Sequence, residues 1–237
     1  MDIRSFLIKA VFPAHCPFCD AVLSENELIC NECRAIPRRI KPPYCLKCGK
    51  HVNEDAQEFC YDCLKQKHFF ERGISLYEYA SVHDSMMTFK NRGRPEYGIF
   101  YGTMMARILG PEILSFHADA IIPIPLHKKR LKKRGYNQSE ILSEQISTLL
   151  NLPIRKDILS RDKMMASQKK MSLEQRQNNM KKAFHIVKND VKLKSIILVD
   201  DIYTTGNTIN AAALALKETG IEKVYFVTAA IGRGRRI

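Results

Sequence analysis

Two adjacent carboxylates and a hydroxyl-rich turn are the most chemically loaded stretch of the chain. Residues 195–199 (SIILV) form a short apolar run of the kind expected for a strand buried on both faces. Asp200, Asp201, Ile202, Tyr203, Thr204, Thr205, Gly206, Asn207 and Thr208 follow, and the pattern then turns helical. A Thr-Thr-Gly turn entering a helix offers backbone amides, a positive dipole end and hydroxyl donors, a set that suits phosphate. The carboxylates repel phosphate, so they are expected to serve what lies beside it, either sugar hydroxyls or a hydrated divalent cation. The expected ligand is a sugar phosphate. A helix-capping turn would explain Asp201 or Thr208 alone, but not the acids, the threonines and the strand together. The GxxxxGK[ST] pattern of nucleotide-hydrolysing loops is absent.

A second chemistry sits at the other end of the chain. All eight cysteines precede residue 64 and fall into CxxC pairs: Cys16 and Cys19, Cys30 and Cys33, Cys45 and Cys48, Cys60 and Cys63. A two-residue spacer lets both sulfurs of a tight knuckle face one cation, and two knuckles complete the tetrahedral thiolate site that zinc prefers. Four pairs would hold two structural Zn2+ ions, with no open position for catalysis. Sequential pairing gives two ribbons in tandem, and the spacing is equally compatible with interleaved pairing. Gly49, directly after Cys48, suits the left-handed residue that a knuckle needs. His15, His51 and His68 are spare ligands by type and are expected at the surface. A segment this short buries little core, so the metal should supply its folding energy.

Charge supplies a third feature. Lys and Arg total 38 against 25 acids, a net charge of +13 that favours polyanionic partners. Lys128, Lys129, Arg130, Lys132, Lys133 and Arg134 place six cations in seven positions, and Tyr136 follows. The run either neutralises a diphosphate or tracks a nucleic-acid backbone, with Tyr136 as a stacking platform. Lys90 is another candidate anion contact. Arg34, Arg38, Arg39 and Lys41 fall between the expected ribbons, as a nucleic-acid contact or a solvated connector.

These groups need a scaffold. With 237 residues, 45% hydrophobic and 27% charged, the composition is that of a globular chain of one or two domains and excludes a fibre or wholesale disorder. Residues 120–125, 195–199 and 223–229 read as buried strands. Residues 139–150 read as a helix with Ser139 as N-cap and Leu142, Ile146, Leu149 and Leu150 on one face. Residues 210–219 read as another, ended by Gly220. Strand, helix and strand over residues 195–229 make a βαβ unit, which calls for a parallel sheet flanked by helices. The chain therefore divides into a zinc-binding domain, residues 1–68, and an α/β domain, residues 69–237. Residues 73–115 carry no readable pattern, and residues 161–180 are polar, Met-speckled and expected to be partly disordered. No apolar run approaches the ~20 residues of a membrane span, and Phe6, Leu7 and Ile8 are too few for a secretory leader, so a cytoplasmic chain is expected.

The stretch ILVDDIYTTGNT resembles the phosphoribosyl-pyrophosphate (PRPP) loop of type I phosphoribosyltransferases. The resemblance implies Asp200 and Asp201 on the ribose hydroxyls, Thr204, Thr205, Gly206, Asn207 and Thr208 on the 5′-phosphate, and Mg2+ accompanying the ligand. Pro123, Ile124 and Pro125 fall where such enzymes carry the pyrophosphate loop. From Cys16 to Ala230 the chain resembles the ComF (late competence protein F) family. That match rests on the CxxC ribbons, the segment from Lys129 to Gln138, the stretch Gln168, Arg176, Asn179, Ala183 and Phe184, and the PRPP loop. Met165 departs from the pattern, where threonine is expected, and residues 161–180 would be the loop that closes over PRPP. The family implies a role in DNA uptake during natural transformation, at the inner face of the membrane, with incoming single-stranded DNA and a DNA translocase or helicase as partners. Two readings of the chemistry follow: an accessory protein that binds PRPP, or an active phosphoribosyltransferase with an unidentified nitrogenous acceptor. A DNA-binding protein with a decayed site is disfavoured by the intact Asp-Asp and Thr-Thr-Gly.

Overall fold

The computed structural model describes residues 13–52, 57–161, 183–188 and 193–232. Two Cys-rich hairpins come first, the second closed by helix α1 (Tyr61–Lys65). Strand β1 (Gly73–Glu78) leads into helices α2 (Tyr79–Asn91) and α3 (Tyr97–Ser115). After strand β2 (Ala120–Pro123) come helices α4 (Lys128–Arg134) and α5 (Gln138–Leu150). A short antiparallel pair, β3 (Leu159–Ser160) and β4 (His185–Ile186), precedes β5 (Ser195–Tyr203), α6 (Asn207–Lys217) and β6 (Lys223–Ile231). Four strands make one parallel sheet in the order β1-β6-β5-β2. The expected α/β architecture, with a Cys-rich region before it, is what forms.

Two-residue alternation along β5 decides the layers. Ile196 and Leu198 join a core with Phe226, the alanine-rich side of α6, and Cys45, Cys48 and Cys60 of the second hairpin. Ile197 and Val199 turn the other way, into a core built with α2, α3 and α5. The second hairpin thus covers sheet surface beside α6, and apolar packing runs straight across residues 68 and 69 through Phe70. The first hairpin has its own small core of Cys16, Leu23 and Cys33.

Several element boundaries differ from the sequence reading. β5 runs on to Tyr203, because β6 stays in register with it at Asp200↔Thr228, Ile202↔Ala230 and Tyr203↔Ile231. The acids therefore lie inside a strand and do not end it. β2 stops at Pro123. Helix α5 is capped by Asn137, whose side chain accepts from the Ser139 N–H, and Ser139 is a buried first-turn residue rather than the cap. Leu149 is 49% exposed and leaves the apolar face to Leu142, Ile146 and the partly buried Leu150. Helix α6 begins three residues earlier than expected, at Asn207, and ends before Gly220.

Residues 73–115 hold an edge strand and two helices whose pattern hid them. Helix α3 contains Gly98, Gly102 and Pro111, poor helix formers by propensity. The glycines permit close packing on α5: a Cβ at Gly102 would sit 2.6 Å from the Gln145 Cβ. The basic connector is tied to the sheet edge, although Arg34, Arg38, Arg39 and Lys41 are exposed. Residues 38–40 lie antiparallel to the edge of β1, bridged at Arg39↔Tyr77, and Arg38 pairs with Glu78 at 3.3 Å. Of the expected mobile loop, residues 161–180, only Arg161 is described; residues 162–180, including Met165, Gln168, Arg176 and Asn179, lie outside the described residues. Ala183 and Phe184 are buried. No helix among the described residues is long and apolar enough to cross a membrane.

Candidate functional site

Side chains of neighbouring strand residues point to opposite sides, and the two carboxylates take different partners. Asp200 Oδ1 accepts from the Ser139 hydroxyl at 3.0 Å and from the Asp201 N–H at 2.9 Å. Asp201 Oδ1 pairs with Lys90 Nζ at 2.9 Å, with both side chains largely buried. Burial, and after it the charge of Asp201, push the Asp200 carboxyl up to about 7, while Lys90, the Asp201 N–H and Ser139 pull it back. Lys90, read from sequence as an anion contact, thus neutralises Asp201 here.

The turn after β5 is shaped by one glycine. Gly206 sits at φ +80°, and a Cβ there would lie 2.5 Å from the Tyr203 hydroxyl oxygen. Neither the backbone angle nor the space admits a side chain readily. Gly206 starts α6, whose first internal bond runs from the Asn210 N–H to the Gly206 carbonyl at 2.8 Å. The N–H groups of Thr208 and Ile209 have no acceptor within the helix, and Thr204 and Thr205 stand exposed beside them. Such an end attracts an anion. Asn207 Oδ1 accepts from Gln66 at 3.4 Å, which ties the turn to the chain leaving the second hairpin.

Pro123, Ile124 and Pro125, the segment expected as the pyrophosphate loop, offer no free backbone N–H. The prolines have no N–H. The N–H of Ile124 donates to the Val199 carbonyl at 2.9 Å, and its carbonyl accepts from Asn137 Nδ2 at 3.1 Å. Besides backbone N–H groups further along, the donors near this segment are side chains.

Those side chains come from the basic run, which the fold splits. It forms α4, closed by Gly135 at φ +84°. Lys129, Arg130, Lys132 and Lys133 are exposed, whereas Arg134 is half-buried and bonds Gln138 Oε1. Burial works against the charge of Arg134, and Asp201 supports it. Tyr136 is no open stacking platform: its ring stacks on Phe89 with centroids 6.0 Å apart, and its hydroxyl donates to the Phe89 carbonyl. A residue that the sequence did not single out completes the set. Arg161, just after β3, lies over the Phe184 ring at 5.2 Å, and its Nε is buried with no acceptor among the described residues. Burial opposes its charge, Asp200 supports it and Arg130 opposes it. The only sequence signal for Arg161 was its place at the edge of the polar segment.

The cysteines gather as two groups in sequential order. In each, Cys16/Cys19/Cys30/Cys33 and Cys45/Cys48/Cys60/Cys63, the Sγ atoms all lie within 4.8 Å of one another. Cys19 to Cys30 and Cys48 to Cys60 are 3.6 Å apart, against an edge of about 3.8 Å for a tetrahedron with Zn–S near 2.3 Å. The donor set and its spacing fit structural Zn2+ in both. The knuckles repeat one another: the Asp20 N–H donates to the Cys16 carbonyl and the Gly49 N–H to the Cys45 carbonyl, each at 2.9 Å. Asp20 (φ +61°) and Gly49 (φ +74°) occupy the same left-handed position. His15 and His51 belong to the hairpin bridges, and His68 is half-buried, its Nδ1 2.9 Å from Asn210 Nδ2; none joins a cluster. The first knuckle is held through Asp20, which pairs with Arg94 at 2.5 Å and accepts from the Tyr97 hydroxyl at 2.9 Å. The second packs into the sheet core, and its buried Lys50 pairs with Asp62 at 2.7 Å.

Comparison with known proteins adds an independent line. The double zinc ribbon domain family matches residues 7–64, and the phosphoribosyl transferase domain family matches residues 132–236. The chain is 31% identical to competence protein F of Haemophilus influenzae, over 81% of this chain and 86% of that protein. It is 28% identical to the DNA utilization protein YhgH of Escherichia coli K12, over 83% and 87% of the two chains. With the competence protein ComFC of Bacillus subtilis it shares 27% identity, over 84% and 82%.

The unequal burial of the clusters predicts unequal consequences. Cys19→Ser should reduce bound zinc from two ions to one and leave the main melting transition nearly unchanged. Cys48→Ser should also remove one ion but lower that transition by roughly 10 °C or more. Equal effects in calorimetry with metal analysis would contradict the assignment of the second cluster to the core.

The acid pair predicts a pH dependence. The folded protein keeps Asp200 protonated up to about 7, whereas an unfolded aspartate releases its proton near 4. Stability from this group is therefore present below about pH 4 and lost as pH rises toward 7. Asp200→Asn keeps the acceptor oxygen, so it should match wild type near pH 4 and exceed it at pH 8 by up to about 4 kcal/mol. Urea titrations at both pH values check this; a gap that does not widen would refute it.

Proposed function

The chain belongs to the competence protein F family, and from that premise we propose that it is a PRPP-binding, zinc-containing accessory protein of DNA uptake. It handles incoming single-stranded DNA at the cytoplasmic face of the membrane, beside a DNA translocase or helicase. One observation carries the ligand: a carboxylate pair in the C-terminal half of a parallel strand is followed, across the exposed turn at Thr204 and Thr205, by a glycine-started helix. That is the place where open α/β sheets take ligands. In this reading Asp200 and Asp201 accept from the two ribose hydroxyls, and the Thr204–Thr208 turn receives the 5′-phosphate. Lys90 releases Asp201 when the sugar arrives, so the ion pair serves as a placeholder for the ligand. Mg2+ would accompany the diphosphate as its counter-ion.

The DNA part rests on the names of the relatives and on charge. Lys129, Lys132 and Lys133 stand exposed on α4 next to the site, as a contact to a phosphate backbone requires. Arg130 and Arg134 interact electrostatically with groups of the site itself.

A second reading, an active phosphoribosyltransferase, is favoured by one observation. A buried carboxyl held near neutral pH is suited to proton transfer from an incoming nitrogen nucleophile. Incubation with Mg2+, PRPP and a panel of bases and amines separates the two: pyrophosphate release supports the transferase, and none supports the accessory protein.

Two binding experiments test the main reading. The double variant Asp200→Ala/Asp201→Ala should weaken PRPP binding in calorimetry by at least 100-fold, and unchanged affinity would overturn the ligand assignment. Reversing Lys129, Lys132 and Lys133 to glutamate should weaken single-stranded DNA binding and flatten its log K against log salt slope by about 2. Affinity and slope that persist would move the DNA surface off α4.

A further inference from the structure

A second recess lies away from the acid pair, at the opposite edge of the sheet. β1 is one edge strand, whereas β2, which leads toward α4, is the other. Beside β1, the second Cys-rich hairpin, residues 39 and 40, and helix α3 enclose a cleft of about 470 Å3. Small-ligand sites commonly have this volume and lie where structural units meet.

The floor of the cleft is apolar, made by the buried side chains of Ile40, Ile74 and Leu76. Tyr44 and Leu46 line the mouth and are 44% and 52% exposed. The Tyr44 hydroxyl donates to the Ile40 carbonyl at 3.2 Å, so the ring is anchored while much of its surface stays open. An exposed ring held in this way is a platform for a second flat group. Charge on the rim is only partly compensated. Arg72 and Glu112 pair with each other. Arg39 and Glu58 are exposed and have no ion-pair partner among the described residues, and neither has the nearby Lys41. The two stand on different walls. Arg39 belongs to the segment bridged to Tyr77 of β1, and Glu58 lies beside Leu46, whose N–H donates to its carbonyl at 2.8 Å.

An occupant that suits these walls is flat in the middle, donates hydrogen bonds on one side and is anionic on another. An added peptide strand fits less well, because much of the free edge of β1 is already bonded. The Gly73 and Glu78 N–H groups donate to the Lys47 and Arg38 carbonyls, and the Leu76 carbonyl accepts from Ile40. A nucleotide has all three properties. Its base offers a π-face to a tyrosine ring, an exocyclic amino group donates to a carboxylate, and its phosphate pairs with a guanidinium.

We propose that this cleft seats one nucleotide of a DNA single strand. The base lies on the Tyr44 ring, Glu58 accepts from its exocyclic amino group, and Arg39 takes the adjoining phosphate. The inference rests on the DNA reading above and adds to it a base-contacting site at the sheet edge opposite α4. Thymine has no exocyclic amino group, so the cleft favours the other bases over it.

The test uses the full-length zinc-loaded protein and fluorescence anisotropy with labelled oligo(dC), oligo(dT) and an abasic strand of equal length. Wild type should bind oligo(dC) more tightly than oligo(dT), and the abasic strand at least fivefold more weakly than oligo(dC). Tyr44→Leu should lower oligo(dC) to the affinity of the abasic strand while two zinc ions stay bound. Glu58→Ala should remove the preference for oligo(dC) over oligo(dT). Arg39→Gln should weaken all three strands by the same factor and reduce the salt slope by about 1. Arg39 and Glu58 are exposed, so their variants carry the test if Tyr44→Leu sheds zinc from the adjacent Cys45. Wild type that binds every strand alike, or Tyr44→Leu that keeps the full base dependence, overturns the cleft and leaves the DNA reading with α4. Wild type that binds no strand removes both. Free dCMP that displaces oligo(dC) at equal nucleotide concentration makes the cleft a monomer site and overturns the assignment to a strand.

Discussion

Tyr203 stands between the second thiolate cluster and the turn that starts α6, and most of the structure around that turn leans on the ring. It is 3% exposed, stacked on Phe226 at 4.6 Å and set edge-on to Phe70 at 6.3 Å. Lys50, from the second knuckle, lies 5.7 Å over its face, and its hydroxyl occupies the space that a Gly206 side chain would need. Burial and the neighbouring thiols of Cys48 and Cys63 drive that hydroxyl far above its ordinary acidity range, so it stays neutral. The ring can hold the turn only if the hairpin beneath it is folded, and a hairpin this small folds on its metal. Gln66 on Asn207, and the Phe69 N–H on Asn210 Oδ1 at 3.1 Å, add polar straps along the same seam. The second thiolate cluster and the turn that starts α6 are thus two ends of one packed unit.

The site built on that unit is an electrostatic compromise. Two adjacent carboxylates inside a buried strand would repel each other, so Lys90 takes one, and burial raises the pKa of the other to about 7. Arg134 and Arg161 face the pair although burial disfavours their charge. The Arg161 Nε, buried with no acceptor among the described residues, and the Asp200 carboxyl, with its raised pKa, are two groups that a ligand bearing hydroxyls and phosphates would relieve. This is the arrangement expected of a binding site, where local stability is given up for complementarity to something absent from the chain.

Much of this was legible from residue order. The thiolate clusters followed from CxxC spacing because a knuckle is a local structure, and the same hydrogen bonds recur at Cys16 and Cys45. The strand before Asp200 and the glycine at the head of α6 were visible for the same reason: both are set by neighbours in the chain. Residues 73–115 were opaque because α3 owes its stability to contact with α5, through Gly98 and Gly102, and not to its own propensity. The end of β5 was misjudged because pairing with β6 overrides the polarity of two aspartates.

Residue types and their spacing settled which chemistries the chain could hold: soft-metal thiolate sites, an anion-attracting turn and a surplus of cations. Each of these depends on atoms within a few residues of one another. Folding alone settled which cations meet the acids, since Lys90, Arg134 and Arg161 come from three separate elements. It also packed the half-buried Tyr136 ring onto Phe89 and used up the Ile124 amide on Val199. Long-range burial and pairing are not encoded in local order, so only the assembled sheet could decide which groups remained for a ligand.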